Sequence, residues 1–409
     1  MLAFSSGGAS SVSKSKRGVS RKVKRSEPAA PAAPTLRPEL YEGLQIPPSE
    51  ARKVRKEVRT VVLEPKMTDE QIKAREGSYF TDDDADTIFD EDVDVYGRDP
   101  KTGQKKLLAR FRKNVIPNDL VRRGWEAYYI TAAPSRNRGA AAGPIQLESK
   151  YWKNRKAVDV DKWSARYMND GKPSKMRVNN NVFSSVLGYF EATPFMKIPC
   201  RLTSYTQRYF KQYRHGLPYI QAIDRVFREL VPDRHAKQLA AAKEKSMYQI
   251  EGTAFSSITI NRNFRTALHC DAGDYKEGYG NLSVIERGKY KGGATLFPRY
   301  RVGFNIRTGD FIAMDVHEWH CNTEMTESAE DKKYNEALPK IHHDNKETGT
   351  LGGEKSFTRI SFVCYLREKL RDCKPDETKK YYERINFDPH RGDLRHQNKT
   401  RRAGQTSKK

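Results

Sequence analysis

His269, Asp271 and His320 have the side-chain types and spacing to hold one redox-active metal ion. His269-Cys270-Asp271 places two ligands at i and i+2, and on an extended strand that spacing sends both side chains to one face. A third ligand has to come from downstream. Gly309-Asp310 opens a predicted strand, Phe311–Asp315, whose exit carries both His317 and His320. One of these imidazoles completes a set of two histidines and one carboxylate. Such a set occupies one face of an octahedral iron(II) ion and leaves the other positions open for a co-substrate and O2. His320, at the end of the turn and followed by Cys321-Asn322, is the preferred ligand, and His317 is read as a turn residue. Five of the nine histidines fall between positions 269 and 343, and the bland alternative is that they are hydrogen-bonded structural histidines.

The second chemical signal is Arg359, which begins the run Arg-Ile-Ser-Phe-Val-Cys-Tyr-Leu. The run reads as a buried strand that opens with a charge. A buried guanidinium is costly unless paired, and the far carboxylate of 2-oxoglutarate would pair it bidentately. Ser361 lies on the same face and offers a hydroxyl. The ordered set of His-x-Asp, a Gly-Asp strand, His and Arg-x-Ser therefore points to an iron(II)- and 2-oxoglutarate-dependent dioxygenase. Two apparent motifs fail on spacing. His317-Glu318-Trp319-His320 is one residue short of a zinc-protease pair, and Gly349 to Ser356 lacks the glycine before lysine of a phosphate loop.

Strands must position these groups, and the chain supplies them. Phe255–Ile260, Leu282–Glu286, Ala294–Phe297, Val302–Ile306, Phe311–Asp315 and Arg359–Leu366 are short apolar runs, several of them separated by glycine-containing turns. Upstream, Tyr219, Ile220, Ile223, Val226, Phe227 and Leu230 recur at helical spacing, Pro232 ends that helix, and Asp233 can cap another to about Lys245. The expected class is α+β, with an antiparallel sandwich or barrel and flanking helices.

Composition sets the partner. Lys and Arg outnumber Asp and Glu by 76 to 52, a net charge of +24 that favours a polyanion, nucleic acid before an anionic membrane surface. Residues 1–38 read as a disordered basic arm with Lys14, Lys16, Arg17, Arg21, Lys22, Lys24 and Arg25. Residues 39–180 form an N-terminal extension and a candidate for nucleic-acid contact, 181–372 the oxygenase domain, and 373–409 a basic C-terminal tail. Aromatic and basic residues alternate at 151–176 and again at 201–214, a pattern that suits stacked bases and phosphates but also ordinary core. Eight carboxylates between Asp82 and Asp94 read as a solvated loop or a competitor for the basic arms. The five cysteines form no CxxC pair and indicate no disulfide framework, which fits a reducing, intracellular compartment, the nucleus in a eukaryotic cell. No apolar run is long enough to span a bilayer, so no membrane partner is expected. Oligomeric state is not legible.

Residues 182–368 resemble the TET/JBP family of 2-oxoglutarate oxygenases, in particular its compact viral, fungal and algal members. The resemblance is carried by Gly-Thr-Ala-Phe at 252–255, Asn-Phe-Arg-Thr-Ala-Leu-His-Cys-Asp-Ala-Gly-Asp at 263–274, Gly-Gly-Ala-Thr-Leu-Phe-Pro at 292–298, Gly-Asp-Phe-Ile-Ala-Met-Asp-Val-His-Glu-Trp-His-Cys-Asn at 309–322 and Thr-Arg-Ile-Ser-Phe-Val at 358–363. It implies a double-stranded β-helix (jelly-roll, cupin-like) and oxidation of the methyl of 5-methylcytosine or thymine in DNA. It also implies iron on His269, Asp271 and His320, and 2-oxoglutarate on Arg359. Asp274 stands where some relatives contact a flipped pyrimidine, and Asn263 and Arg265 of the same motif are expected at the substrate. A carboxylate at 274 would accept from the exocyclic amine of cytosine, where thymine offers a carbonyl, which favours 5-methylcytosine. The charged insert between Asn322 and Phe357 departs from the pattern. A protein side chain or RNA as substrate, and a non-catalytic DNA-binding module on an oxygenase scaffold, are the competing expectations.

Overall fold

A computed structural model describes residues 38–193, 196–342, 350–351 and 355–393. The N-terminal basic cluster, His343 and the chain from 394 onward lie outside the described residues.

The fold is mixed α+β. The strands that build the two main sheets are β1 (Arg59–Leu63), β2 (Thr87–Phe89), β3 (Val93–Arg98), β4 (Lys105–Arg112), β5 (Asn181–Phe190), β6 (Arg201–Leu202), β7 (Ser257–Arg262), β8 (Gly280–Arg287), β9 (Thr295–Phe297), β10 (Val302–Phe304), β11 (Phe311–Met314), β12 (Cys321–Asn322) and β13 (Thr358–Tyr365). The helices used below are α1 (Asn118–Tyr128), α2 (Phe210–Leu230), α3 (Pro232–Glu244), α4 (Ala329–Ala337) and α5 (Pro375–Ile385). One large sheet runs β1-β3-β4-β11-β8-β13-β7-β5-β6, and a smaller one runs β12-β9-β10-β2. The N-terminal extension is woven into both sheets. β4 pairs antiparallel with β11, and β2 pairs parallel with β10.

Strand alternation sorts the large sheet into two faces. Ile258 and Ile260 of β7, Ile285 of β8, Phe311 and Ala313 of β11, and Ile360, Phe362 and Cys364 of β13 share one core with Trp125 and Tyr128 of α1 and with the periodic apolar face of α2. The helix pair is close: a Cβ on Gly216 would lie 2.3 Å from the Tyr128 ring. On the opposite face, Leu282, Val284, Ile312 and Met314 meet Phe89, Phe297, Val302 and Phe304 of the small sheet. At the β7–β13 end of this face Thr259, Asn261, Ser361 and Tyr365 are polar, and with Val363 they line a cavity. Pro232 begins α3 rather than merely ending α2, because its fixed φ and missing N–H suit the first helical turn.

Two expectations are corrected. Cys200 and Cys373 form a disulfide, with Cα atoms 5.9 Å apart and a sequence separation of 173. So long a separation leaves no local spacing signal. Residues 373–393 are not tail. In α5 the Thr378 hydroxyl donates to the Cys200 carbonyl at 2.6 Å and the Tyr382 hydroxyl accepts from the Leu202 N–H at 2.8 Å, while Phe387 packs edge-on against Phe210. Much of the aromatic-basic stretch 201–214 is core: Phe210 and Tyr213 are buried. The acidic stretch is solvated at Asp82 and Asp83, as expected, but its later part is paired within the fold, with Asp90 on Lys113, Asp92 on Arg52, and Asp94 on Arg110 and Arg112. No helix among the described residues is long and apolar enough to cross a membrane.

Candidate metal centre and active-site cavity

His269 lies beyond β7 and His320 beyond β11, and their backbones meet in an isolated antiparallel bridge with N–H···O distances of 3.1 and 3.0 Å. The His-x-Asp segment is extended but not a regular strand, and extension alone suffices to put His269 and Asp271 on one side. The Asp271 carboxylate spans the two rings, with Oδ1 3.6 Å from His269 Nε2 and Oδ2 3.7 Å from His320 Nε2. One ligand atom from each residue falls within 4.8 Å of the others.

The tautomers follow from the partners. His269 Nδ1 lies 2.8 Å from the Ala267 carbonyl and His320 Nδ1 2.9 Å from the Glu318 carbonyl. A carbonyl only accepts, so both Nδ1 atoms carry hydrogen and both Nε2 lone pairs face Asp271. Burial, with the neighbouring His320 ring, lowers the His269 pKa to about 4 and keeps the imidazole neutral. The donor set therefore fits a divalent metal. His317 is held elsewhere, its backbone N–H on Asp315, and stays out of the cluster.

The turn carrying His320 is braced by charge. Glu318 is buried between Arg299 Nε at 2.8 Å and Lys106 Nζ at 3.2 Å, and Lys106 also reaches Asp315 at 3.2 Å. Lys106 belongs to β4, so the N-terminal extension supports the metal centre directly.

These ligands line a cavity of about 370 Å3 whose wall includes Thr259, Asn261, Ser361, Val363, Tyr365, Asp274, Arg138 and Arg367. Arg359 stands one step beyond Ser361 on the same strand face and is 4% exposed, and its Nε and Nη2 have no hydrogen-bond partner. Glu286 lies directly across the sheet, but its carboxylate is taken by Thr308, Arg307 and Tyr290. A buried guanidinium with two unpartnered nitrogens, next to a cavity-lining serine, fits the carboxylate of a co-substrate. Thr266, Asn322 and Thr295 form a hydrogen-bonded chain along another wall, at 2.7 and 2.9 Å.

Asp274 reaches the cavity with Oδ2 unpartnered, and burial together with the Asp271 charge raises its carboxyl well above the usual range against the opposing Arg367. Asn263 and Arg265, expected at the substrate, do not line the cavity. The Asn263 amide accepts from the Arg359 backbone N–H at 2.7 Å and donates to the Phe357 carbonyl at 2.8 Å, from a positive φ of 46°. Arg265 pairs with Glu324 and donates to the Phe80 carbonyl, with its guanidinium over Tyr79. Both serve as braces for the site. Tyr365 and Arg367 were legible in principle from the alternation that begins at Arg359. Arg138, from a loop far upstream, carried no such signal. No residue of the insert between 323 and 342 lines the cavity; α4, with a Ser328–Asp331 capping box, sits against Lys289 through Asn335 instead.

Residues 185–368 match the model of the Tet_JBP family, the oxygenase domain of the 2OGFeDO superfamily. Over 188 residues the chain is 34% identical to the bifunctional helicase and thymine dioxygenase JBP2 of Leishmania infantum, which covers 46% of this chain and 15% of that protein. Over 144 residues it is 37% identical to the thymine dioxygenase JBP1 of Trypanosoma brucei brucei, covering 35% of this chain and 17% of the relative. The chain thus spans less than a fifth of the length of these two relatives. A solved structure of NgTET1 in complex with 5mC DNA aligns over 80% of this chain and 90% of that one at 11% identity and a TM-score of 0.43, too loose a superposition to argue from. The two histidines, the aspartate and Arg359 all fall within the matched segment, and it is this segment, less than half of the chain, that is similar to the oxygenase domain of the Tet_JBP family.

Proposed function

We propose that the chain is an iron(II)- and 2-oxoglutarate-dependent dioxygenase that hydroxylates the 5-methyl group of a pyrimidine in DNA, with 5-methylcytosine as the preferred base. The observation that carries the reading is the convergence of two correctly tautomerised imidazoles and one carboxylate on a point inside a cavity. His269, Asp271 and His320 hold the metal. Arg359 and Ser361 hold 2-oxoglutarate, with the guanidinium on its far carboxylate. Bound together, iron(II) and 2-oxoglutarate supply the oxidation of a C–H bond by O2.

The chain's own residues do the rest. The cavity opens to solvent, and a base flipped out of the duplex is the substrate form that reaches a metal held inside it. Asp274 orients that base: whether or not it holds a proton, its carboxyl retains an acceptor oxygen for the exocyclic amine of cytosine. The two facing sheets and the helices behind the larger one are the arrangement from which we read a double-stranded β-helix core. The net charge of +24 supports a polyanionic partner and, in a eukaryotic cell, a nuclear location.

A second reading, thymine as the base, is favoured by the names of the curated relatives. Incubation with iron(II), 2-oxoglutarate and ascorbate, followed by mass spectrometry of the bases, separates the two. Hydroxymethylcytosine from methylated DNA is expected, and hydroxymethyluracil alone would reverse the preference. Product on RNA or protein with none on DNA would replace the substrate class. No consumption of 2-oxoglutarate with any substrate would leave a non-catalytic DNA-binding module.

A further inference from the structure

The cavity wall includes a loop that lies outside the matched oxygenase segment. Asn137, Arg138, Gly139, Ala140 and Ala141 contribute to it from residues upstream of 185. Asn137 and Gly139 are at the loop crest, where Gly139 is exposed, so the crest stands at the cavity entrance. Arg138 turns inward. Among the described residues no hydrogen bond or ion pair engages its guanidinium, and its Nε is shut off from solvent.

The loop is fastened on both sides. Ala141 accepts from the Ala267 N–H at 3.0 Å, two residues before His269. Gly139 N–H donates to the Asn179 side chain at 2.9 Å, and the Asn180 amide donates to the carbonyls of Ala142 and Pro144. Asn179 and Asn180 end a three-stranded finger built from Ala157–Val158, Arg166–Asn169 and Lys172–Pro173. Between 150 and 177 the chain carries nine Lys or Arg and three Asp. The acids are few and partly taken, with Asp159 on Arg166 at 3.6 Å and Asp161 on Arg177 at 3.9 Å. Lys153, Arg155, Lys156, Lys172 and Lys175 stay exposed. Arg136, two residues from Arg138, and Arg155 both stack on Tyr151, at 4.2 and 4.3 Å, which joins the loop to the finger.

A guanidinium in the cavity wall with no hydrogen-bond partner, joined through Arg136 and Tyr151 to a strip of exposed cations on the finger, matches a phosphate chain that runs from the cavity along the finger. We propose that residues 136–177 form a strand guide for nucleic acid, in which Arg138 receives the phosphodiester beside the nucleotide entering the cavity and the finger carries the flanking backbone. This rests on the nucleic-acid reading above and adds the element that delivers the substrate.

The test uses the full chain and a short fluorescein-labelled duplex carrying one 5-methylcytosine. Affinity is measured across a salt series for wild type, Arg138→Gln, Arg138→Lys and the triple variant Lys153→Gln/Arg155→Gln/Lys156→Gln. Removing one cation from a phosphate flattens the slope of log K against log salt by about 0.9. The expected decrease is therefore about 1 for Arg138→Gln and about 2 to 3 for the triple variant, with the wild-type slope restored in Arg138→Lys. The melting shift produced by 2-oxoglutarate and iron(II) without oxygen is read in parallel, and it should persist in all variants. Unchanged slopes while wild type still oxidises DNA would overturn the guide alone. Loss of the 2-oxoglutarate shift in Arg138→Gln would overturn it by assigning Arg138 to the co-substrate. A wild type with no salt-dependent affinity for nucleic acid would overturn the guide and the DNA reading together.

Discussion

Replacing Arg359 by Met should stabilise the ligand-free protein while cutting its response to 2-oxoglutarate. Arg359 is 4% exposed and leaves Nε and Nη2 unpartnered, and the carboxylate facing it, Glu286, is taken by Thr308, Arg307 and Tyr290. Without a ligand the guanidinium is a buried charge with no dedicated counter-ion. Substituting an apolar chain of similar length for a poorly paired buried charge is worth about 1–4 kcal/mol of added stability. The bound state reverses the sign. Losing one partner of a buried, hydrogen-bonded charge pair costs about 2–5 kcal/mol, or roughly thirtyfold to several-thousandfold in 2-oxoglutarate affinity. At a concentration a hundred times the wild-type Kd, 2-oxoglutarate stabilises wild type by about 2.7 kcal/mol, and the variant by about 0.9 kcal/mol at a thirtyfold loss and by almost nothing at a several-thousandfold loss. Urea unfolding with and without 2-oxoglutarate, under iron(II) and without oxygen, reads both quantities. A variant that is less stable than wild type when empty, or that keeps the ligand-induced gain, would refute the assignment of Arg359.

Asp271→Ala removes the one carboxylate between the two imidazoles; bound iron and 2-oxoglutarate consumption should both fall to background, and retained turnover would sink the metal assignment. Lys106→Met strips the shared cation from Asp315 and Glu318, so melting should show a loss of about 1–3 kcal/mol, and kcat should fall as the His320 turn loosens, whereas 2-oxoglutarate KM stays near wild type. An unmoved kcat would show that Arg299 alone holds the turn. Opening the Cys200–Cys373 bridge releases a loop with a sequence separation of 173, for which chain entropy sets a loss of up to about 5 kcal/mol. Reductant should lower the melting temperature of wild type and leave a Cys200→Ser/Cys373→Ser variant unaffected; equal melting of wild type in both conditions would mean the bridge is not made.

What the residues announce by themselves is local chemistry and local periodicity. The pair His269 and Asp271 sits two residues apart, His320 ends a short strand-and-turn, and Arg359 opens an apolar strand, so ligand types and order can be read along the chain. The six strands between 255 and 366 and the helix through Tyr219 to Leu230 follow from alternation and 3.6-residue spacing, and the structure contains each of them. Tertiary contact decided the rest, because side-chain type does not report which distant segment will be near. Asn263 and Arg265 have the hydrogen-bonding groups of substrate contacts, yet the fold commits them to Phe357, Arg359, Phe80 and Glu324. Cys200 and Cys373 meet only because α5 returns across β6, and Arg138 and Lys106 reach the site only because the N-terminal extension folds into it. Those partners are far apart along the chain, and only the fold brings them together.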